Sequence, residues 1–459
     1  MLAIAKTSAQ TPPPSPPVPS PSPAPSPQVI VQPQPVRPLP GELDQILTFN
    51  SNSPEVVQTE GILLSTFPQA GMKVPDAHLN LPLKGRFDLF THHIAKAASP
   101  EDLRTLYLGI ILSNPGENPV TVNLLQAASY LSQPDAPFIP LPSMQDNPDG
   151  QVFAGPGDRA MNDVLRGQRQ MGWPAQIIIP PGQSQMLMNL PIPVKGLTPP
   201  LNGRSSLLRV NTNGPVYAAS LGMFAPTNPD GSDRPPTLEE WQTLLQTSGL
   251  AGPRDKTPTP PNAPGKVIYG RVAGVAKGSR WLAQIADTPQ RGSRLTIPQP
   301  GAAFSYVLSS VAQGSFGTGQ VQSAPMIVRY PDTAYEAHGN YGIEYSLNLP
   351  LYNNSAQPQQ VSITLQTPLK NDLATGNLRF NQLPPARVFF RGTVRLRYRD
   401  DQGTPQTRFL HLVQQQGQQA QPLVTLTLPA QGIRLVEVDF LYPPDATPPQ
   451  VLTIQTLPS

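Results

Sequence analysis

The sequence predicts an all-β protein, mainly antiparallel, with two β-sandwich-like modules and a few short helices. Two stretches carry this prediction. In residues 335–368 an alternating apolar and polar run is followed by a polar turn at 353–358 and a second alternating run, and residues 106–126 repeat this design. Alternation with a period of two is typical of a strand with one buried face. Its recurrence indicates two modules of the same kind.

The third observation is the proline content, which reaches 62 of 459 residues. Proline at this density interrupts helices and favours short strands joined by turns. Charged residues make up 13% of the chain and the net charge is +3, so we expect no nucleic-acid partner. The absence of cysteine excludes disulfides and thiolate chemistry. No apolar run approaches the roughly 18–20 residues that span a bilayer, so no transmembrane segment is expected.

Residues 1–40 are predicted to be the remnant of a signal peptide followed by a proline-rich disordered spacer. Residues 1–5 are apolar, and the small residues Thr7 and Ala9 suit a signal-peptidase site. A basic start and a longer apolar region are missing, so we expect the true gene start to lie further upstream. Residues 11–40 contain fourteen prolines and one charge, which is typical of an extended spacer. These features predict a periplasmic or extracellular protein, or a cytoplasmic one if Met1 is the true start.

The first module is predicted over residues 41–251. Its strands are expected at 61–67, 87–94, 106–112, 120–126, 175–179, 186–190, 207–210 and 216–224. A helix is predicted over 158–171, with apolar residues on one face and arginines on the other. A second helix begins after Thr237, which with Glu240 forms a capping box, and ends at Gly249.

A proline-rich linker is predicted over residues 252–266, and a second β-sandwich-like module over residues 267–459. Strands of this module are expected at 267–269, 281–283, 304–311, 326–330, 343–349, 361–365, 388–398, 408–413, 423–428, 434–440 and 451–455. A turn with proline and glycine before an apolar strand occurs at 179–184 and again at 428–432. This weak repeat supports a duplication, although similar turns also recur by chance in all-β chains.

Six segments carry a resemblance to a known family: FNSNSPE (49–55), EGILLSTF (60–67), FDLFTHH (87–93), YGRVAGVAKGSRW (269–281), RYPDTAYEAHGNYG (329–342) and YPPDATPPQVLTIQT (442–456). They resemble a cyanobacterial family of uncharacterised proteins that carries a domain-of-unknown-function label. The resemblance runs from about residue 40 to the C-terminus. It implies an exported protein of the cell envelope or the extracellular space, and it implies no reaction.

One loop is the candidate binding site. Its members are polar or aromatic: Asp332, Tyr335, Glu336, His338, Asn340 and Tyr341. Such a loop could bind a sugar, with Tyr341 stacking on the ring and with Asn340 and Asp332 forming hydrogen bonds. The alternative is a turn between modules whose glycines permit positive φ.

Neither a metal nor a cofactor is expected. Of the five histidines, His92 and His93 adjoin each other in a strand, so their side chains point to opposite faces. One of them could join His78 and Asp88 in a site, but packing histidines are the simpler interpretation. Two acidic turns contain the remaining candidates for calcium, Asp146, Asp149, Asp230 and Asp233, in spacings that match no known calcium loop.

The sequence therefore predicts an exported, non-enzymatic protein that serves as a structural or binding component of the cyanobacterial envelope. Its predicted partners are envelope glycans or proteins. Two alternatives stay open. A carbohydrate-active enzyme would need two carboxylates about 5–10 Å apart in a cleft, and a cytosolic scaffold would need Met1 to be the true start.

Overall fold

The computed structural model describes residues 28–99, 101–261, 263–288, 293–373 and 376–458. The predicted leader and most of the predicted spacer lie outside these residues. Strands dominate the described chain, and most of their pairings are antiparallel. The all-β prediction is confirmed.

Across the described ranges the first strands are β1 (Val29–Pro33), β2 (Val36–Arg37), β3 (Glu42–Leu43), β4 (Leu47–Ser51), β5 (Val56–Val57), β6 (Gly61–Ser65), β7 (Leu83–Lys96), β8 (Leu106–Ser113), β9 (Val120–Leu131), β10 (Met144–Asp146), β11 (Gln176–Ile179), β12 (Ser184–Ile192) and β13 (Leu201–Phe224). The later strands are β14 (Ala273–Lys277), β15 (Arg280–Gln284), β16 (Leu295–Thr296), β17 (Ala303–Leu308), β18 (Ala324–Arg329), β19 (Glu336–Ala337), β20 (Glu344–Tyr352), β21 (Gln359–Gln366), β22 (Asn377–Asn381), β23 (Val388–Arg399), β24 (Pro405–Gln415), β25 (Val424–Leu428), β26 (Ile433–Leu441) and β27 (Gln450–Thr456). A 3₁₀ turn covers Pro75–Ala77, and the α-helices are α1 (Pro156–Leu165) and α2 (Leu238–Thr247).

Both predicted helices form, but α1 ends six residues before the predicted end at Met171. The chain reverses at Gly167, whose φ is +76°. The N–H of Gly167 donates to the carbonyl oxygen of Val164 (2.9 Å), and that of Gln168 donates to Asp163 (3.0 Å). This pair of bonds is a Schellman motif, which terminates a helix. Helix α2 has the predicted capping box at its N-terminus.

The second module is a sandwich of two sheets. One sheet has the order β10-β24-β23-β26-β20-β15-β3, with β16 also paired to β20, and the other has the order β2-β17-β27-β21-β25. The inner faces of the two sheets enclose one core, to which Leu347 and Phe440 contribute from the first sheet and Ile363 and Ile454 from the second. The apolar residues of the alternating pattern at 343–349 therefore lie on the side of β20 that faces this core.

The first module has two layers, and the long strand β13 contributes to both. The first half of β13 pairs with β7 and β9, and its second half pairs with β6 and β8. Its pairing with β7 is irregular between Thr212 and Val216, where the strand passes from one layer to the other. Apolar residues such as Phe49, Leu89 and Leu108 fill the space between the layers. Helix α2 covers one outer face through Trp241, and α1 covers the other.

Strand pairing crosses the predicted linker in both directions. β14 follows the linker, yet it pairs with β4 of the first module, where Val275 lies opposite Phe49. β3 and β10 precede the linker, yet they join the sheet of β15 and β24. The division of the chain into two independent units at residues 252–266 therefore stays a prediction.

The final part of the predicted spacer differs from the prediction. β1 pairs antiparallel with β22, and β2 runs parallel to β17. Ile30 and Val36 pack into a small core with Phe316 and Phe380. Apolar residues between the prolines drive this pairing, and short strands that border a sheet tolerate proline.

The two modules share a motif of four strands. In the first module β8 pairs with β12 and β9 pairs with β11, while in the second β20 pairs with β26 and β21 pairs with β25. A buried asparagine follows the first strand of each motif. Nδ2 of Asn114 donates to the carbonyl oxygen four residues later (2.7 Å) and to that of Ile179 (3.0 Å). Nδ2 of Asn353 donates to the carbonyl oxygen four residues later (2.8 Å) and to that of Leu428 (3.1 Å). This shared geometry supports the duplication.

Candidate functional site

Two neighbouring cavities adjoin the predicted binding loop. The first, which we call the asparagine cavity, has a volume of about 200 Å³ and is lined by Asn50 and Asn52 of the β4 region. The second, the linker cavity, has a volume of about 380 Å³ and is lined by Pro260 and Pro261 of the predicted linker. His338 and Tyr269 line both cavities and lie between them.

Asn50 and Asn52 are the most unusual residues of the asparagine cavity. They lie two positions apart on an extended chain, so their side chains share one face, and Ser51 points to the other. Each is only 2% exposed, and Oδ1 of each has no hydrogen-bond partner. Buried polar groups are nearly always paired, because an unpaired one loses its hydration without replacement. The cavity therefore contains two free hydrogen-bonding groups.

Aromatic rings form the wall between the cavities. The rings of Tyr269 and His338 lie 4.5 Å apart between centroids. Burial lowers the pKa of His338 to about 4, and a hydrogen bond with the backbone of Tyr269 opposes this shift. The imidazole is therefore neutral at neutral pH. Its Nδ1 is 3.7 Å from a carboxylate oxygen of Glu336, too far for a hydrogen bond.

The charges at the asparagine cavity are positive. Arg271 and Lys370 line it. Arg271 also forms an ion pair with Glu55, whereas Lys370 forms no ion pair with any residue that the structure describes. Among the lining residues within the described ranges there is no carboxylate.

Several apolar and aromatic side chains line the linker cavity. Ile268 and Val321, which are 39% and 42% exposed, line it together with Tyr335. Tyr335 is held by the guanidinium of Arg329, which lies 3.7 Å from its ring centroid. Glu336 lines the same cavity, and burial raises the pKa of its carboxyl group.

Five of the six predicted residues line these cavities: Tyr335, Glu336 and His338 the linker cavity, and His338, Asn340 and Tyr341 the asparagine cavity. Asp332 lines neither cavity, because Arg254 binds both of its carboxylate oxygens at 2.7 and 3.0 Å. The hydrogen bonds with Arg254 also lower the pKa of Asp332.

Asn340 has a structural role. Its Nδ2 donates to the carbonyl oxygen of Gln322 (2.9 Å) and to the Tyr345 hydroxyl (3.0 Å), and its Oδ1 accepts the N–H of Ala324 (3.1 Å). Both amide hydrogens are in use and the residue is fully buried, so Asn340 holds the loop in place. Tyr341 donates its hydroxyl to the carbonyl oxygen of Ala446 (3.0 Å). The binding role of the loop as a whole stays a prediction.

The sequence interpretation missed Asn50, Asn52, Tyr269 and Lys370. Asn50 and Asn52 precede the first strand predicted for this module, although the alternation Asn-Ser-Asn after Phe49 fits a strand that continues past β4. No sequence signal connects residues 50–52 with Lys370, because only the folded chain brings them to one cavity.

The histidines and the aspartate that were considered for a metal site contact other side chains of the protein. Oγ of Ser65 is 2.9 Å from Nδ1 of His78, while Asp88 lies between Arg86 and Arg209. Nε2 of His93 is 2.9 Å from Oγ of Ser51, but both residues are fully buried, so no substrate can reach them. Within the ranges that the structure describes, no three His, Asp or Glu side chains are placed to hold a metal ion.

The acidic turns also have partners of their own. Asp146 forms an ion pair with Arg408 (2.8 Å), and Asp230 accepts hydrogen bonds from the backbone and hydroxyl of Ser232. No helix in the described part of the chain is long and apolar enough to cross a membrane.

Comparison with known proteins identifies the family. The family model described as "Protein of unknown function (DUF3370)" matches residues 34–456. The chain belongs to this family. The match confirms the resemblance to a family with a domain-of-unknown-function label, while the cyanobacterial origin and the export of this DUF3370 protein stay predictions. A search of curated proteins finds no match.

Solved structures show only weak similarity to this chain. Lac15 from a marine microbial metagenome is 10% identical with a TM-score of 0.11, over 92% of this chain and 64% of Lac15. Procruciferin, an 11S globulin from Brassica napus, is 13% identical with a TM-score of 0.10, over 90% of this chain and 84% of procruciferin. The coconut allergen cocosin is 12% identical with a TM-score of 0.10, over 90% and 86%. The DUF3370 chain thus spans 64% of the length of Lac15.

Proposed function

We propose that this DUF3370 protein is an exported, non-enzymatic binding component of the cyanobacterial cell envelope, and that its two cavities hold a glycan. The observation that carries the proposal is the combination of aromatic walls with free amide groups at adjoining cavities. Export is supported by the apolar start of the chain and by the proline-rich stretch that follows it.

The chemistry of the two cavities suits a sugar chain. Sugars present C–H faces that pack on aromatic rings and hydroxyls that pair with amides. Tyr269 and His338 supply rings on the wall that both cavities share, and Asn50 and Asn52 supply amides. Because the cavities adjoin each other, successive sugars of one chain can occupy both.

A glycan hydrolase is less well supported. Acid–base hydrolysis of a glycosidic bond generally uses two carboxylates, about 5–10 Å apart. Of the described residues that line the two cavities, Glu336 alone carries a carboxylate. A binding role needs no second carboxylate.

Two experiments test this proposal. Cell fractionation followed by N-terminal sequencing should find the protein in the periplasm or the medium, cleaved near Ala9, whereas an intact Met1 in the cytosol would contradict export. A panel of envelope oligosaccharides should then bind the purified protein in calorimetry. Tyr269→Ala should weaken that binding, while Tyr352→Ala, outside both cavities, should leave it unchanged. Binding of envelope proteins without any glycan would favour a protein partner instead.

A further inference from the structure

We propose that the asparagine cavity is a subsite for a sugar that carries a carboxylate, a uronic acid, within the bound glycan. This inference rests on the proposed function, since it names the chemistry of one of its two cavities. Four features of the cavity support it: unpaired amides, an unpaired cation, its size and the aromatic rings in its wall.

The unpaired amides require a polar ligand. Asn50 and Asn52 lie side by side with both Oδ1 atoms buried and without partners. In the described chain neither side chain makes a hydrogen bond to another residue. Two parallel amides can accept from, and donate to, two neighbouring hydroxyls, and neighbouring hydroxyls are the common feature of sugar rings. An apolar ligand would leave these groups unpaired and is therefore disfavoured.

The charge of the cavity selects an anion. Lys370 lines the cavity without an ion-pair partner in the described chain. Burial lowers the pKa of Lys370, and the charge of Asp372 opposes this shift, but Asp372 does not form an ion pair with Lys370 and instead accepts the N–H groups of Gly314 and Ser315, both at 2.8 Å. The positive charge of Lys370 is thus available to a ligand, and a carboxylate completes a charge-assisted hydrogen bond with it.

The size of the cavity limits the ligand to one ring. Its volume of about 200 Å³ lies below the roughly 300–1,000 Å³ of pockets that hold drug-sized molecules. Its wall includes the rings of Tyr269 and Tyr341, against which the C–H face of a sugar can pack. We therefore place a single uronic acid here, and the next sugar of the chain in the linker cavity.

The test compares matched ligands by calorimetry with the full-length protein. An oligosaccharide ending in glucuronic acid should bind about tenfold more tightly than the same oligosaccharide ending in glucose, which is the effect of one charge-assisted hydrogen bond. Lys370→Met should remove that preference and leave the affinity for the neutral sugar unchanged. Lys195→Met, an exposed lysine outside both cavities, is the control and should change neither affinity.

A second variant probes the amides. Asn52→Asp places a carboxylate beside the ligand, so it should abolish the preference for the acidic sugar by charge repulsion. A buried carboxylate also costs stability, so the thermal unfolding midpoint is measured to verify that the variant is folded at the assay temperature. Asn52→Ala should weaken both sugars equally, because both lose the same hydroxyl contact. Retention of the tenfold preference in Asn52→Asp would overturn the placement of the carboxylate.

The outcomes separate the two proposals. Equal affinity for both sugars overturns the uronic acid subsite and leaves glycan binding intact. If the protein binds neither of these sugars and no other glycan, both the uronic acid subsite and the proposed glycan-binding function are overturned. Tighter binding of a sulfated sugar, or competition by inorganic phosphate alone at the same concentration, overturns the assignment to a carboxylate and identifies a general anion site.

Discussion

Asn353 should be one of the most important polar residues for the stability of the second module. Its side chain is fully buried and joins the end of β20 to the end of β25. Replacement by alanine removes the Nδ2 bonds to the carbonyl oxygens of Gln357 (2.8 Å) and Leu428 (3.1 Å). It also removes the acceptor for the N–H of Ser355 (3.0 Å). The variant keeps every apolar contact of the sandwich core.

The expected loss follows from the burial of each bond. The Leu428 carbonyl is buried, and leaving such a group without a donor costs about 1–3 kcal/mol. The bonds to Gln357 and Ser355 are partly exposed, so water replaces them and each contributes about 0.5–1.5 kcal/mol. Together they predict that Asn353→Ala lowers the free energy of unfolding by about 4 kcal/mol.

Urea unfolding, followed by far-UV circular dichroism, measures this loss. With a denaturant slope of about 3 kcal/mol per M, the midpoint should fall by about 1.3 M. Asn354→Ala is the matched control, since this neighbouring side chain is exposed and should change the free energy by less than about 0.5 kcal/mol. Asn114→Ala should repeat the loss in the first module. Equal midpoints for Asn353→Ala and Asn354→Ala would refute the reasoning.

Three further predictions concern charge and capping. Arg209→Leu removes the cation between Asp88 (3.5 Å) and Glu344 (2.8 Å), so it should cost about 3–5 kcal/mol in urea unfolding; a loss below 1 kcal/mol would contradict this role. Burial lowers the pKa of His93 from 6.5 to about 4. The unfolded chain therefore binds a proton first as the pH falls, and the wild type should lose about 3 kcal/mol between pH 6.5 and pH 4 through this residue. His93→Gln should lack that part of the pH dependence, and equal pH profiles would rule the mechanism out. Thr237→Ala removes the capping box of α2 and should cost about 1 kcal/mol, with an unchanged thermal midpoint as the contrary result.

The sequence predicted those features whose signal lies within a few neighbouring residues. The alternation of residues 343–349 predicted β20, and Thr237 with Glu240 predicted the start of α2. The recurring turns at 179–184 and 428–432 supported a duplication, which stays a prediction. Each of these patterns acts locally, through the pleat of a strand or the unpaired N–H groups of a helix end.

The tertiary structure alone decided which strands pair and which residues share a cavity. Residues 29–37 belong to the proline-rich stretch that was predicted as a spacer, and only the presence of β17 and β22 makes them strands. Asn50 and Lys370 are 320 positions apart, yet they line one cavity in the folded chain. A strand pattern states which face of a strand is buried but not which strand lies beside it. Pairing between distant strands depends on the packing of the whole chain, and so does the candidate binding site.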